Sequence, residues 1–262
     1  MPRSSTVCST TTDSKIARLA ATTAGESTVL RSLLVTAAAL LLPLTATGAD
    51  CIILLHGLSR SADSMEKLES GLLDAGYAVA NIDYPSRHLS IEELAPLAVQ
   101  AGIDDCADAE RVNFITHSLG GILVRVYLED NTVDHLGRIV MLGPPNHGSE
   151  IVDKLRGIPG YSLINGPAGS QLGTGENDIP AQLQPVYYDV GVIAGTHLVY
   201  PVLSQILPNP DDGIVSVEST KFDGMKDFLL VNRTHTFIMN SPEVLEQSIS
   251  FIETGRFIHP DP

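Results

Sequence analysis

The sequence predicts an α/β protein, with a mostly parallel central sheet and helices on both of its faces. From Asp50 onward, short apolar runs of β type alternate with amphipathic helical stretches, the pattern of a sheet built from strand-helix-strand crossovers. The runs are apolar throughout rather than at every second residue, as expected of strands covered on both sides. One of them, "FITHSLGG" over Phe114 to Gly121, passes from a strand through a sharp turn bearing a serine and directly into helical periodicity.

The strands are placed, in order, at Cys51–Leu55, Ala78–Ile82, Val112–Thr116, Arg138–Leu142, Asp189–Ala194 and Phe228–Val231. Helices fit between them. After the serine, Leu119, Ile122, Leu123, Val126 and Tyr127 recur at helical spacing and define one apolar face. The last helix has Ser241 at its N-cap, Pro242 at its first position and Gly255 as its stop. Between Gly148 and Tyr188 the pattern breaks, because "RGIPGYSLINGPAGSQLGTGENDIP" is dense in Gly and Pro and carries no clear periodicity. Such a segment, at about 149–188, is either a surface excursion or a lid over a site. Residues 50–262 show no internal repeat and no linker, and read as a single domain.

The N-terminus differs from the rest. Residues 1–28 are rich in Ser, Thr and Ala, and then "VLRSLLVTAAALLLPLTATGAD" combines Arg31, an apolar run Ser32–Leu44 and small residues ending at Ala49. That is the anatomy of a secretory signal peptide, with cleavage expected near Ala49–Asp50 and Thr47 and Ala49 at the small-residue positions. The run is short for a membrane-spanning helix of about 20 residues, so no stable span is expected after cleavage. Because these features begin only at Val29, residues 1–28 also fit a mis-assigned start, and an uncleaved leader would make an anchor.

A hydrophobic content of 44% with 18% charged residues suits a packed globule. The net charge of −15 argues against nucleic acid as a partner, since the acidic excess repels a phosphate backbone. Residues 1–49 hold four basic and two acidic residues, so the remainder carries 12 basic and 29 acidic residues, or −17. Of three cysteines, Cys8 lies in the leader region, leaving Cys51 and Cys106, an even pair in an exported chain. Asp50 sits where a lipid-attachment motif at Cys51 would need a small residue. No cysteine spacing suggests a metal site.

Ser118 stands between strand and helix, the context of a nucleophile elbow, although Thr116 occupies the first position of the usual G-x-S-x-G. Gly120 and Gly121 supply the small residues that a close strand-helix approach requires. A serine hydroxyl needs a base, and the base needs an orienting acid. Among eight histidines, His56 and His117 lie in motif turns that support backbone, while His88, His135, His147 and His197 precede the last strand and His259 lies in a tail. His235 alone follows that strand and emerges at the sheet edge bearing the serine. For the acid, "NPDDGIVSVES" offers Asp212, with Asp211 as the alternative, in a tight Asp-Asp-Gly turn. Backbone donors for an oxyanion are expected from Leu58, in the turn that Gly57 permits after the first strand, and from Leu119 at the helix start.

Together "IILLHGL", "ITHSLGG", "MLGPPNHGSE", "DDGIVSVES" and "RTHTFI" resemble the α/β-hydrolase superfamily, in particular small bacterial lipases and esterases, over about residues 51–255. The resemblance implies Ser118, Asp212 and His235 as catalytic triad and Leu58 with Leu119 as oxyanion hole. It implies a small-molecule or lipid ester as substrate and no metal or organic cofactor. It makes "PPNHGSE" a structural segment and leaves Thr116 as a tolerated departure. The same machinery serves thioesterases, amidases and acyltransferases, and a non-catalytic binding protein on this fold is the alternative of another class. In that fold the strands starting at Cys51 and Val112 are neighbours, so Cys51 and Cys106 would meet in a disulfide at the sheet's N-terminal edge. Localisation would be periplasmic or extracellular.

Overall fold

The computed structural model describes residues 50–198 and 206–259; the leader and Cys8 lie outside the described residues. Six parallel strands form one sheet: β1 (Cys51–Leu55), β2 (Ala78–Ile82), β3 (Val112–His117), β4 (Leu136–Leu142), β5 (Val190–Gly195) and β6 (Asp227–Val231), in the order β2-β1-β3-β4-β5-β6. The expected strands recur with their ends moved by one or two residues, the ordinary fraying of an element boundary.

The strands are apolar at every position because each face meets a helical layer. In β1, Cys51, Ile53 and Leu55 join a cluster with α2 (Ile91–Asp105) and α3 (Leu119–Asp130), while Ile52 and Leu54 join another with α1 (Glu66–Asp74) and α8 (Pro242–Thr254). Neighbouring strands repeat the division, Phe114 and Met141 on one face and Ile115 and Val140 on the other. A period of two thus assigns alternate side chains to opposite cores.

Local chemistry sets the helix ends. At α2 the Ser90 hydroxyl accepts from the Glu93 amide (3.4 Å) and the Glu93 carboxylate accepts from the Ser90 amide (2.9 Å), a reciprocal cap of two N–H groups that lack helical partners. Helix α8 starts at Pro242 after Ser241 and ends at Gly255, whose φ of 75° takes the left-handed conformation. In α3 the expected apolar face is buried except at Val126, which is half-buried; Val124 and Arg125 are buried as well, so the helix is wrapped on more sides than its periodicity indicated.

The stretch at about 149–188 departs from the expectation of an aperiodic loop. It folds into three short helices, α4 (Glu150–Leu155), α5 (Tyr161–Ser170) and α6 (Ile179–Gln182). Each is too short to repeat an apolar stripe, and α5 bends at Gly166 (φ 66°) before Pro167, so no single period runs through it. A further one-turn helix, α7 (Val217–Thr220), precedes β6.

Cys51 and Cys106 form a disulfide that ties the start of β1 to the end of α2, at the N-terminal edge of the sheet. Among the described residues no helix is long and apolar enough to cross a membrane. The segment after α8 is anchored rather than free: Phe257 is buried, and its amide donates to Asp227 at 2.7 Å.

The cross-link closes a loop with a sequence separation of 55. Removing that constraint from the unfolded chain forfeits about 4 kcal/mol in the chain-entropy model. A double Cys51→Ala, Cys106→Ala variant is therefore expected to melt on the order of 10 °C lower by calorimetry. An unchanged melting temperature would show that the bridge contributes nothing.

Candidate active site

The strand order reverses between β1 and β3, since β1 pairs with β2 on one side and β3 on the other. The connections that leave these two strands diverge to opposite faces, which opens a crevice at their C-terminal ends, where open α/β sheets bind ligands. The chain presents Gly57 and Leu58 after β1 and Ser118 after β3 at this crevice.

Ser118 has φ 52° and ψ −116°, a conformation that costs a non-glycine residue about 1–3 kcal/mol. The packing around it supports that cost. Leu119, Ile122 and Leu123 are fully buried on the following helix, and each contributes roughly 1.5–3 kcal/mol. Gly120 is required by a close approach: a β-carbon there would lie 2.6 Å from the Leu55 carbonyl oxygen and 2.9 Å from Leu55 Cβ. Thr116, the departure from the usual motif, is fully buried, and its hydroxyl faces the Val140 carbonyl at 3.4 Å. A β-carbon on residue 121 would come within 3.2 Å of Thr116 Oγ1, so Gly121 leaves the space that the threonine fills.

His235 follows β6 at the start of a 3-10 turn, His235–Asn240. Its Nε2 lies 3.0 Å from Ser118 Oγ, and its Nδ1 lies 2.7 Å from Asp212 Oδ2. A carboxylate only accepts, so Nδ1 carries the proton and Nε2 is free to accept the serine proton. All three side chains are buried. Asp212 is held by its own turn: Oδ1 accepts from the amides of Ile214 (3.0 Å) and Val215 (2.8 Å), and its carbonyl accepts from the His235 amide at 3.0 Å. Asp211, the alternative, accepts through Oδ1 from the Gly213 amide at 2.8 Å.

Leu119 opens α3, where a helical amide has no carbonyl four residues back to receive it. Leu58 lines a cavity of about 280 Å³ together with Ser118 and His235. Its walls are largely apolar, with Ile151, Val152 and Leu155 from α4 and Leu172, Ile214 and Val215 opposite. The chain at 149–188 therefore does border the crevice. Among the described residues no group of three or more His, Cys, Asp or Glu side chains could hold a metal.

The two motif histidines are occupied by structural bonds. His56 Nδ1 donates to the Gly57 carbonyl at 2.8 Å, and Nε2 accepts from the Tyr84 amide at 3.3 Å. The ring stacks on Tyr84 with centroids 3.9 Å apart, and the Tyr84 hydroxyl donates to the His56 carbonyl. Burial lowers the His56 pKa, so its 3.5 Å approach to the exposed Asp83 is made by a neutral ring. His117 donates from Nε2 to the His235 carbonyl at 2.9 Å, fixing the His235 backbone, while its Nδ1 has no partner among the described residues. Burial first, and then its neighbours His235, Arg60 and His56, hold its pKa well below the usual histidine range.

Two supports lay outside the expectations. Gly143 (φ 55°) follows β4 beside Asp212 and His235, and a β-carbon there would lie 3.1 Å from Asp212 Oδ2 and 3.2 Å from His235 Nδ1. Arg125, a lone cation on the apolar α3, donates to Asn146 Oδ1 at 2.8 Å and to the Gln184 carbonyl at 3.0 Å; Asn146 in turn donates to the Thr220 carbonyl at 2.8 Å. The only sequence signals were a glycine closing a strand and a charge within an apolar face.

No family model matches the chain, and no curated protein sequence matches it. Solved structures do. The mature form of a Bacillus licheniformis lipase superposes with a TM-score of 0.61 at 18% identity, covering 81% of this chain and 94% of that one. The chain has the α/β-hydrolase fold. Two other α/β-hydrolases align over less of their own length. A metagenomic carboxyl esterase gives a TM-score of 0.54 at 16% identity over 72% of this chain and 65% of that one. A Legionella pneumophila phospholipase gives 0.53 at 21% over 66% and 44%.

The lowered histidine pKa values carry a sign. Unfolded, His56 and His117 take up protons below about pH 6.5; folded, they resist protonation. The folded state is thus fully favoured above that pH and loses stability as the pH falls below it, by up to about 1.4 kcal/mol per pH unit for each histidine. Melting temperatures between pH 7 and 5 should fall less steeply for His117→Gln than for the parent. Parallel slopes would mean that His117 does not contribute.

Proposed function

We propose that this chain is an exported serine hydrolase that cleaves carboxylic esters through Ser118, His235 and Asp212, with residues 50–262 as its single domain. The observation that carries the reading is the chain of hydrogen bonds from Ser118 through His235 to Asp212, opening on an apolar cavity at the switch point of the sheet. His235 Nε2 takes the Ser118 proton as Oγ bonds to the acyl carbon, and the carbonyl electron pair moves onto oxygen. The Leu58 and Leu119 amides donate to that oxyanion. When the pair returns, the bond to the leaving oxygen breaks, and His235 gives its proton to that oxygen to release the alcohol. Water then adds to the acyl-enzyme by the same route, with His235 taking its proton and returning one to Ser118 as the acid departs. Asp212 accepts from Nδ1 throughout and stabilises the imidazolium.

The cavity, at about 280 Å³, lies just below the usual range for drug-sized ligands of ~300–1,000 Å³. Its size and apolar walls suit short to medium acyl chains. Relatives in fold are named as a lipase, a carboxyl esterase and a phospholipase, and each of these acts on esters. Thioesters, amides or acyl transfer would draw on the same groups. Export is supported by the Cys51–Cys106 disulfide, which persists in oxidising compartments, and by the signal-like sequence before Asp50.

Fluorophosphonate labelling and a series of p-nitrophenyl esters test the reading. Ser118→Ala should abolish labelling, and Asp212→Asn should lower kcat by about 10⁴-fold by leaving His235 in the wrong tautomer. Asp211→Asn should retain most activity, because its carboxylate serves Gly213. Turnover that survives Ser118→Ala would sink the mechanism, and a deeper loss at Asp211 than at Asp212 would reassign the acid.

A further inference from the structure

We propose that the loops after β1 and β2 form an anion-recognition subsite, so that the ester cleaved carries a carboxylate or phosphate group that Arg60 and Arg87 receive. The inference deepens the ester-hydrolase reading and rests on it. Arg60 lines the cavity that holds Ser118 and His235, and it also lines an adjoining open cavity of about 540 Å³ with Ser59, Ser61, Asp63, Ser64 and Arg87. The two cavities thus share one guanidinium.

Neither arginine forms an ion pair among the described residues, although the chain from Asp50 onward carries 29 acidic side chains against 12 basic ones. Arg111, Arg138, Arg156 and Arg233 all pair with carboxylates. One carboxylate, Asp63, shares the open cavity with two guanidiniums and leaves its lining net positive. In a protein of this charge, a cationic patch at the mouth of the site selects for the substrate rather than for general solubility. Arginine also offers the planar fork of donors that suits carboxylate and phosphate oxygens.

The loops bearing the two arginines are fastened together. The Ser59 amide donates to Ser86 Oγ at 3.1 Å, and the Ser86 side chain is buried next to Arg87. Ser59 Oγ donates to the Ile164 carbonyl of α5 at 3.2 Å. Ser59 itself is held at φ 57°, a left-handed conformation costly for serine, immediately before Arg60. Strain at a residue tied on both sides fixes the direction in which Arg60 leaves the backbone. The charge also reaches inward, since Arg60 is among the groups that keep His117 neutral.

Two matched ester pairs test the proposal and separate the sources of charge. Mono-p-nitrophenyl glutarate against p-nitrophenyl valerate places a carboxylate on the acyl side. Hexanoyl glycerol phosphate against hexanoyl glycerol places a phosphate on the alcohol side. In at least one pair kcat/KM should favour the anionic ester, mainly through KM, and the preference should collapse near 1 M salt, where the screening length is about 3 Å. Arg60→Gln with Arg87→Gln should lower the anionic-to-neutral ratio about fivefold, the combined effect of two exposed pairs, and Arg→Lys at both positions should restore most of it. A ratio near one in both pairs, or a preference that survives the double glutamine variant, overturns the subsite while leaving ester hydrolysis intact. If neutral esters are also inert and Ser118 does not label, the ester-hydrolase reading fails and the subsite fails with it.

Discussion

The site depends on how closely α3 is pressed against the end of β1. The helix begins one residue after Ser118, and its second residue must pass within contact distance of the Leu55 backbone. Only glycine at 120 permits that approach. The chain leaves β3 and enters the helix through a positive φ at Ser118. The strain is local, and the apolar burial that opposes it is spread over the whole first half of α3. The backbone of the buried serine is therefore held at the crevice by packing elsewhere along the helix.

Asp212 and His235 arrive from the other half of the sheet and need a different kind of support. Asp212 sits in a turn and His235 at the first residue of a 3-10 turn, outside the sheet and the long helices, so each is tied by backbone bonds. The Asp212 turn binds its own carboxylate, the Asp212 carbonyl receives the His235 amide, and the His235 carbonyl receives the His117 ring. The "PPNHGSE" segment extends this mesh. Ser149 donates to the Ile214 carbonyl at 2.7 Å, the His147 amide donates to the Ser219 carbonyl at 2.9 Å, and Asn146 links Arg125 of α3 to Thr220. Helix α3, which follows Ser118, and helix α7, which follows the Asp212 turn, are thus joined through the buried Arg125 guanidinium and Asn146.

Much of this could be read from the chain because its signals are local. Continuous apolar runs mark strands with two covered faces, and Ser241, Pro242 and Gly255 mark a helix by its ends. The order of serine, aspartate and histidine along the chain singles out His235 among eight, and the structure sets its ring between Ser118 and Asp212. What could not be read was whatever depends on distant neighbours. The short helices of residues 149–188 owe their existence to packing on the body of the protein, not to a stripe of their own. Arg125 is legible only as a charge on an apolar face until Asn146 and Gln184 meet it. Gly143 is one strand-ending glycine among several until Asp212 and His235 come to rest above it.

Thr116 shows how a motif can change letters without changing shape. The usual glycine at that position is one way to make room under the serine; here a threonine fills the room, and the glycine that yields is Gly121, across the turn. The geometric demand falls on the total volume beneath the elbow, so a pattern written in single letters understates what the fold accepts. Gly120 allows no such exchange, because what it faces is the Leu55 and His56 backbone, which cannot step aside for a β-carbon. Of the three small positions around this serine, only the one set against backbone is fixed by geometry, and the other two are fixed jointly.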